Sequence, residues 1–120
     1  MAGIVFLRTA DHDQIVEFYR REVGMQPWLE QPQITILRHE NLLVGFQQQL
    51  EADTDALLTF FYPTREQVDL MYRRLQGCAS SEPRHNQRYR IYNFFARDPD
   101  SRRIEFQCFL HQLPAWQFSG

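Results

Sequence analysis

Hydrophobic positions along this chain switch between two periods, and they do so twice. Ile4–Leu7 is a short apolar run with β-branched and aromatic residues, which reads as a strand. Ile15, Phe18, Tyr19 and Val23 then recur at helical spacing. The same signals return as a strand at Leu57–Tyr62 and a helical face of Val68, Met71, Tyr72 and Leu75. Asp11 with Gln14, and Thr64 with Gln67, each fit a capping box, in which the N-cap side chain and a Gln three residues on exchange hydrogen bonds with the backbone. Gly24 and Gly77 follow as expected helix stops, where glycine enters the left-handed region most easily.

After each helix the pattern becomes one of alternation. The first copy continues with a short stretch around Trp28-Leu29, then Ile34–Leu37, a polar turn over 38–41, and Leu42–Gln47. The second passes through a long polar loop, Ala79 to Arg88, then Ile91–Ala96, a turn over 97–102, and Arg103–Phe109. Asp98-Pro99-Asp100 marks that turn, because proline fixes φ and aspartate bonds nearby backbone groups.

Laid on one another without a gap, Ile4–Gly24 and Leu57–Gly77 match residue for residue at Gln14/Gln67, Tyr19-Arg20-Arg21/Tyr72-Arg73-Arg74 and Gly24/Gly77. The fold class predicted is α+β: two tandem βαβββ modules within one domain spanning 1–120. Module one covers about 1–50 and module two about 54–111, with a linker over 48–55 and a tail over 112–120. Trp116 and Phe118 are expected to dock the tail on apolar surface.

Composition narrows the chemistry. Hydrophobic residues make up 43 % of the 120, charged residues 23 %, and the net charge is −2. That balance lacks the basic face of a nucleic-acid module. It also argues, with the doubled three-strand tail, against the βαββαβ sheet of RNA-binding domains. All 13 basic residues are arginine, which excludes Schiff-base chemistry through lysine. Cys78 and Cys108 have no metal-type spacing and read as buried thiols. No apolar run is long enough for a membrane span, and no basic segment precedes the first apolar stretch. A cytoplasmic location is therefore the expectation.

Asp11, Phe18 and Tyr19 (Asp-x6-Phe-Tyr) in the first half, and Asp98-Pro99-Asp100-Ser101-Arg102-Arg103-Ile104-Glu105-Phe106 in the second, resemble the vicinal oxygen chelate superfamily. That group includes glyoxalases, fosfomycin- and bleomycin-resistance proteins and extradiol dioxygenases. The resemblance covers about residues 4 to 110. It implies a curved mixed sheet around a cleft enclosed by the two modules. One departure is Ser101, which stands where the family usually has glycine; serine reaches φ > 0 only at a cost.

The superfamily's metal enzymes take one ligand from the first and last strand of each module, and the ion then holds two adjacent substrate oxygens. Carried onto this chain, those positions are Ile4, Val44, Leu57 and Glu105, with a slip from Val44 to Leu43 or Gly45 restoring no ligand. Alkyl groups donate no lone pair, so no metal and no cofactor are expected. His12, His39, His85 and His111 are scattered over a first helical turn, a hairpin turn, a loop and the tail, and do not rebuild the site.

Strand alternation from Ile4 assigns the cleft lining: Phe6 and Arg8, Phe46 beside Val44, Thr59 and Phe61 beside Leu57, and Gln107 and Phe109 beside Glu105. A lining of this kind suits a small organic molecule with a flat apolar body; a cleft filled by its own side chains has the same composition. Glu105 is the candidate catalytic residue, a general base of raised pKa or a cation holder. A structural carboxylate paired with Arg8 or Arg103 is the other reading. Arg84, Arg88 and Arg90 are candidates to receive an anion. The function implied is a metal-free, small-molecule-binding protein like the antibiotic-sequestering branch, whose members are homodimers. Two alternatives stand beside it. One is a metal-dependent or acid/base lyase, isomerase or dioxygenase of the same superfamily. The other is a pairing domain with a closed cleft.

Overall fold

The first strand of each repeat begins one residue later than its apolar run suggests, at Val5 and at Leu58. The computed structural model describes residues 1–115; Trp116 and Phe118 lie outside the described residues. The elements are β1 (Val5–Thr9), α1 (His12–Phe18), β2 (Gln26–Gln31), β3 (Ile34–His39), β4 (Leu42–Gln48), β5 (Leu58–Phe61), α2 (Arg65–Arg74), β6 (Arg84–Asn86), β7 (Ile91–Arg97) and β8 (Arg103–Phe109). They fall into two four-stranded mixed sheets, ordered β1-β4-β3-β2 and β5-β8-β7-β6. In each, one parallel pair (β1 with β4, β5 with β8) adjoins two antiparallel pairs. This is βαβββ twice. The polar stretch expected to be loop over 79–88 contains β6, which pairs with β7 although it is too short and too polar to show alternation. No described helix is long and apolar enough to cross a membrane.

The chain divides into two compact units, Met1–Asp55 with Asp98–Arg102, and Ala56–Arg97 with the chain from Arg103. In the first, Asp11 caps α1 by accepting from the Gln14 N–H at 3.2 Å. The α-helix ends at Phe18 and widens into a π-helical turn, Tyr19–Val23, whose carbonyl at Tyr19 accepts from Gly24 and Met25. Gly24 closes it in the left-handed conformation, φ 94°. Ile15, Tyr19 and Val23 are buried, and Tyr19 stacks on Phe46 at 4.9 Å between ring centroids. Each such buried ring contributes about 2–3 kcal/mol of transfer free energy.

The second unit repeats the plan with a complete capping box at Thr64 and Gln67. Phe60, Phe94 and Phe106 stack under α2, whose Tyr72 meets Phe94 edge-on. Gly77 is not the left-handed stop expected of it. The helix ends at Arg74, and the Leu75 carbonyl accepts from both Cys78 and Ala79, so a second turn carries the reversal.

A buried polar cluster organises the first unit. The Arg102 guanidinium is fully buried and bonds Asp98 Oδ2 at 2.6 Å, the Asp53 carbonyl at 2.8 Å and the Arg8 carbonyl at 3.1 Å. Tyr19 donates its hydroxyl hydrogen to the same Asp98 oxygen at 2.6 Å. Asp98 Oδ1 accepts from the N–H groups of Asp100 and Arg102, which closes the turn. Asp100 in turn accepts from the Thr9 hydroxyl at 2.6 Å. Ser101 sits in this turn at φ 67°, in the left-handed region that glycine enters most easily.

Candidate functional site

Register decides which side chains share a face. In the second sheet Thr59 lies opposite Glu105, Phe61 opposite Gln107, Phe95 opposite Glu105 and Asn93 opposite Gln107. Since Phe106 and Ile104 point to α2, these residues occupy the other face, with Phe109. There the Glu105 carboxylate accepts from the Thr59 hydroxyl at 2.8 Å and from the Asn93 amide at 2.7 Å. Phe61 and Phe109 meet edge to face at 5.6 Å between centroids, and Phe109 meets His111 in the same way. The structure thus brings Thr59, Phe61, Glu105, Gln107 and Phe109 together on one face, as alternation predicted. Asn93 and Phe95 also belong to it and were missed. Counting outward from the Asp98 turn places both beside Glu105, so the signal was present in the hairpin.

Glu105 does not pair with either arginine expected of it. Arg103 lies over the Phe95 ring at 4.5 Å, while Arg8 forms a bidentate contact with Asp53, 3.0 and 2.7 Å to Oδ1. The Arg8 guanidinium and its backbone N–H hold the Asp53 carboxyl below the usual range. Arg8 belongs to the first unit, where it and Phe6 are exposed on the face away from α1.

Phe46 is a correction. Alternation puts it with Phe6, yet Phe6 lies opposite Gly45 and Leu7 opposite Phe46. Val44 and Phe46 therefore point toward α1, where Phe46 is fully buried against Tyr19. The error is a one-residue slip, which reverses every side chain in a strand.

The same register settles which residue of module one corresponds to Glu105. Glu105 lies opposite Thr59; Thr59 corresponds to Phe6 in the repeat, and Phe6 lies opposite Gly45. Glycine offers no donor. A Cβ added there would stand 2.5 Å from Cδ1 of Phe6, so the Phe6 ring fills the space that a side chain at position 45 would take. Ile4 and Leu57 are alkyl. Among the described residues, no three His, Cys, Asp or Glu side chains converge as a metal ion requires. The residues do not fit the superfamily's divalent ion: one carboxylate, with both oxygens already accepting, is no chelating set.

Small hollows lined by described residues lie elsewhere. One, about 370 Å³, is lined by His85, Gln87, Arg90 and Leu110; another, about 290 Å³, by Asp11, His12, Asp13, Gln33 and Gln48. Arg90 therefore borders a hollow, whereas Arg88 stacks on Tyr89 at 5.3 Å.

No protein-family profile matches the chain, and no curated protein does. Solved structures do. A glyoxalase/bleomycin resistance protein/dioxygenase from Nocardioides is similar over 99 % of this chain and 89 % of its own, with TM-score 0.74 and 15 % identity. An enzyme of the same description from Burkholderia phytofirmans PsJN gives TM-score 0.78 and 21 % identity over 89 % of this chain and 97 % of its own. Lactoylglutathione lyase from Agrobacterium tumefaciens gives 0.73 and 17 % over 90 % and 92 %. Tandem βαβββ units with these likenesses carry the fold of the glyoxalase/bleomycin resistance protein/dioxygenase group, the vicinal oxygen chelate superfamily that the duplicated halves resemble.

Proposed function

We propose that this protein binds a small organic molecule, without a metal, on the face of the second sheet that carries Glu105. The observation that carries the reading is the pair Gly45 and Phe6. A superfamily ligand position is held by glycine and covered by an aromatic ring, while its counterpart keeps a carboxylate beside the Phe61–Phe109 ring pair. Rings supply apolar contact area at little entropic cost, and the few polar groups fix orientation. Thr59, Phe61, Gln107 and Phe109 form the binding surface around Glu105. A second copy of the chain is the protein partner in this reading; exposed Trp28 and Leu29 on edge strand β2 support it.

The test is metal content together with thermal stability. Purified protein is expected to carry no stoichiometric zinc, iron, manganese or nickel, and its Tm to stay unchanged with a chelator. Small aromatic compounds are expected to raise the Tm. About one metal ion per chain, with a Tm drop on its removal, overturns the reading.

A further inference from the structure

Glu105 is 8 % exposed, and among the described residues no arginine or histidine forms an ion pair with it. The nearest basic residue on its strand, Arg103, is committed to the ring of Phe95. The two groups that do bond the carboxylate, Thr59 and Asn93, are neutral. Among the described residues the carboxylate is therefore oriented by neutral donors, and no ion pair completes it. A carboxylate accepts about four hydrogen bonds, so two acceptor positions remain. Beside it Gln107, also 8 % exposed, uses its side-chain amide for no hydrogen bond among the described residues. Its carbonyl oxygen is a third acceptor on the same face.

Three acceptors match the three donors of a primary ammonium group. A calcium or magnesium ion asks for more, since it takes six or more oxygen ligands. The rings of Phe61 and Phe109 offer an apolar wall with electron-rich faces, which attract a cation's neighbouring carbon groups as well as its charge. We propose that the ligand of this face is an organic cation, a primary ammonium joined to an aromatic or apolar body. The ammonium bonds Glu105 and the Gln107 carbonyl, and the body rests on Phe61 and Phe109. This identification rests on the small-molecule reading above.

The experiment compares 2-phenylethylammonium with 2-phenylethanol, its neutral counterpart, and with manganese(II) chloride, by calorimetry on the full chain. The ammonium is expected to bind about ten-fold or more tightly than the alcohol, the worth of a charge-assisted hydrogen bond. Glu105→Gln is expected to erase that difference, because an amide gives the ammonium no charge assistance. The wild-type comparison stands by itself if that variant does not fold. Equal affinity for ammonium and alcohol overturns the organic-cation proposal and leaves small-molecule binding intact. Binding of neither overturns the ammonium site and counts against the face as a binding surface. Stoichiometric manganese binding that is lost in Glu105→Gln overturns both.

Discussion

The ring of Phe6 stands over Gly45 so closely that Cδ1 and Cε1 would lie 2.5 and 2.6 Å from a Cβ at position 45. The two residues face each other across the parallel pair of β1 and β4, so one side chain fills the space of both.

Position 45 should therefore respond according to what stands at position 6. Gly45→Ala in the wild-type background pushes the Phe6 ring aside and destabilises by about 1 kcal/mol. In a Phe6→Ala background the same change should be neutral or stabilising by about 0.5 kcal/mol, because alanine restricts the unfolded chain. Urea denaturation of the four proteins in a double-mutant cycle checks this. An additive cycle would mean that the two positions do not share space.

Asp98 holds the most consequential charge of the first unit. Asp98→Asn leaves the buried Arg102 with only the more distant Asp100 carboxylate, 3.6 Å away, and weakens the bond from Tyr19. A loss of about 3–5 kcal/mol is expected, as for breaking a buried ion pair. Tyr19→Phe removes only a donor to a charged oxygen and should cost about 1.5–3 kcal/mol. Denaturant midpoints of the two variants should fall in that order.

Burial, with the Asp98 carboxylate next to it, pushes the Tyr19 hydroxyl up from its ordinary value of 10.0. Burial also raises Tyr62. A raised folded-state pKa means that the folded chain keeps a proton that the unfolded chain releases. The stabilisation is complete below pH 10 and is lost as pH rises beyond it. Thermal melts should show a falling Tm above about pH 10, with a shallower fall in Tyr19→Phe. On the acid side the sign reverses. Asp53, held down by its bonds to Arg8, stabilises above its ordinary value of 3.8, and that contribution disappears as pH falls through the lower folded-state value.

Ser101 pays for a left-handed backbone, φ 67°. Ser101→Gly removes a steric cost of about 1–2 kcal/mol and adds unfolded-state freedom of about 0.4–1 kcal/mol. A net gain near 0.5–1 kcal/mol is expected, readable as a higher urea midpoint. A loss instead would mean that the left-handed backbone costs the serine less than the unfolded-state freedom that glycine adds.

Much of the second sheet's candidate face could be read from order alone. Glu105, Gln107 and Phe109 alternate along one strand, and the Asp98 turn sets the count back to Phe95 and Asn93. Phe46 could not be placed in this way. The turn over 38–41 leaves the count uncertain by one, and in a strand one residue is the difference between core and surface. Gly77 misled for a related reason: glycine permits a left-handed stop without requiring one.

The sequence by itself determined the duplication, the two βαβββ units, the helix starts at Asp11 and Thr64, and the poverty of metal donors. All of these depend on residue type and spacing over a few turns. Tertiary structure alone decided that Tyr19 and Asp98, 79 residues apart, share a hydrogen bond. It also decided that Phe6 fills the space over Gly45 and that Asn93 and Thr59 hold Glu105. Those depend on which strands pair and in which register, a choice made by the packing of both sheets and invisible to any local window.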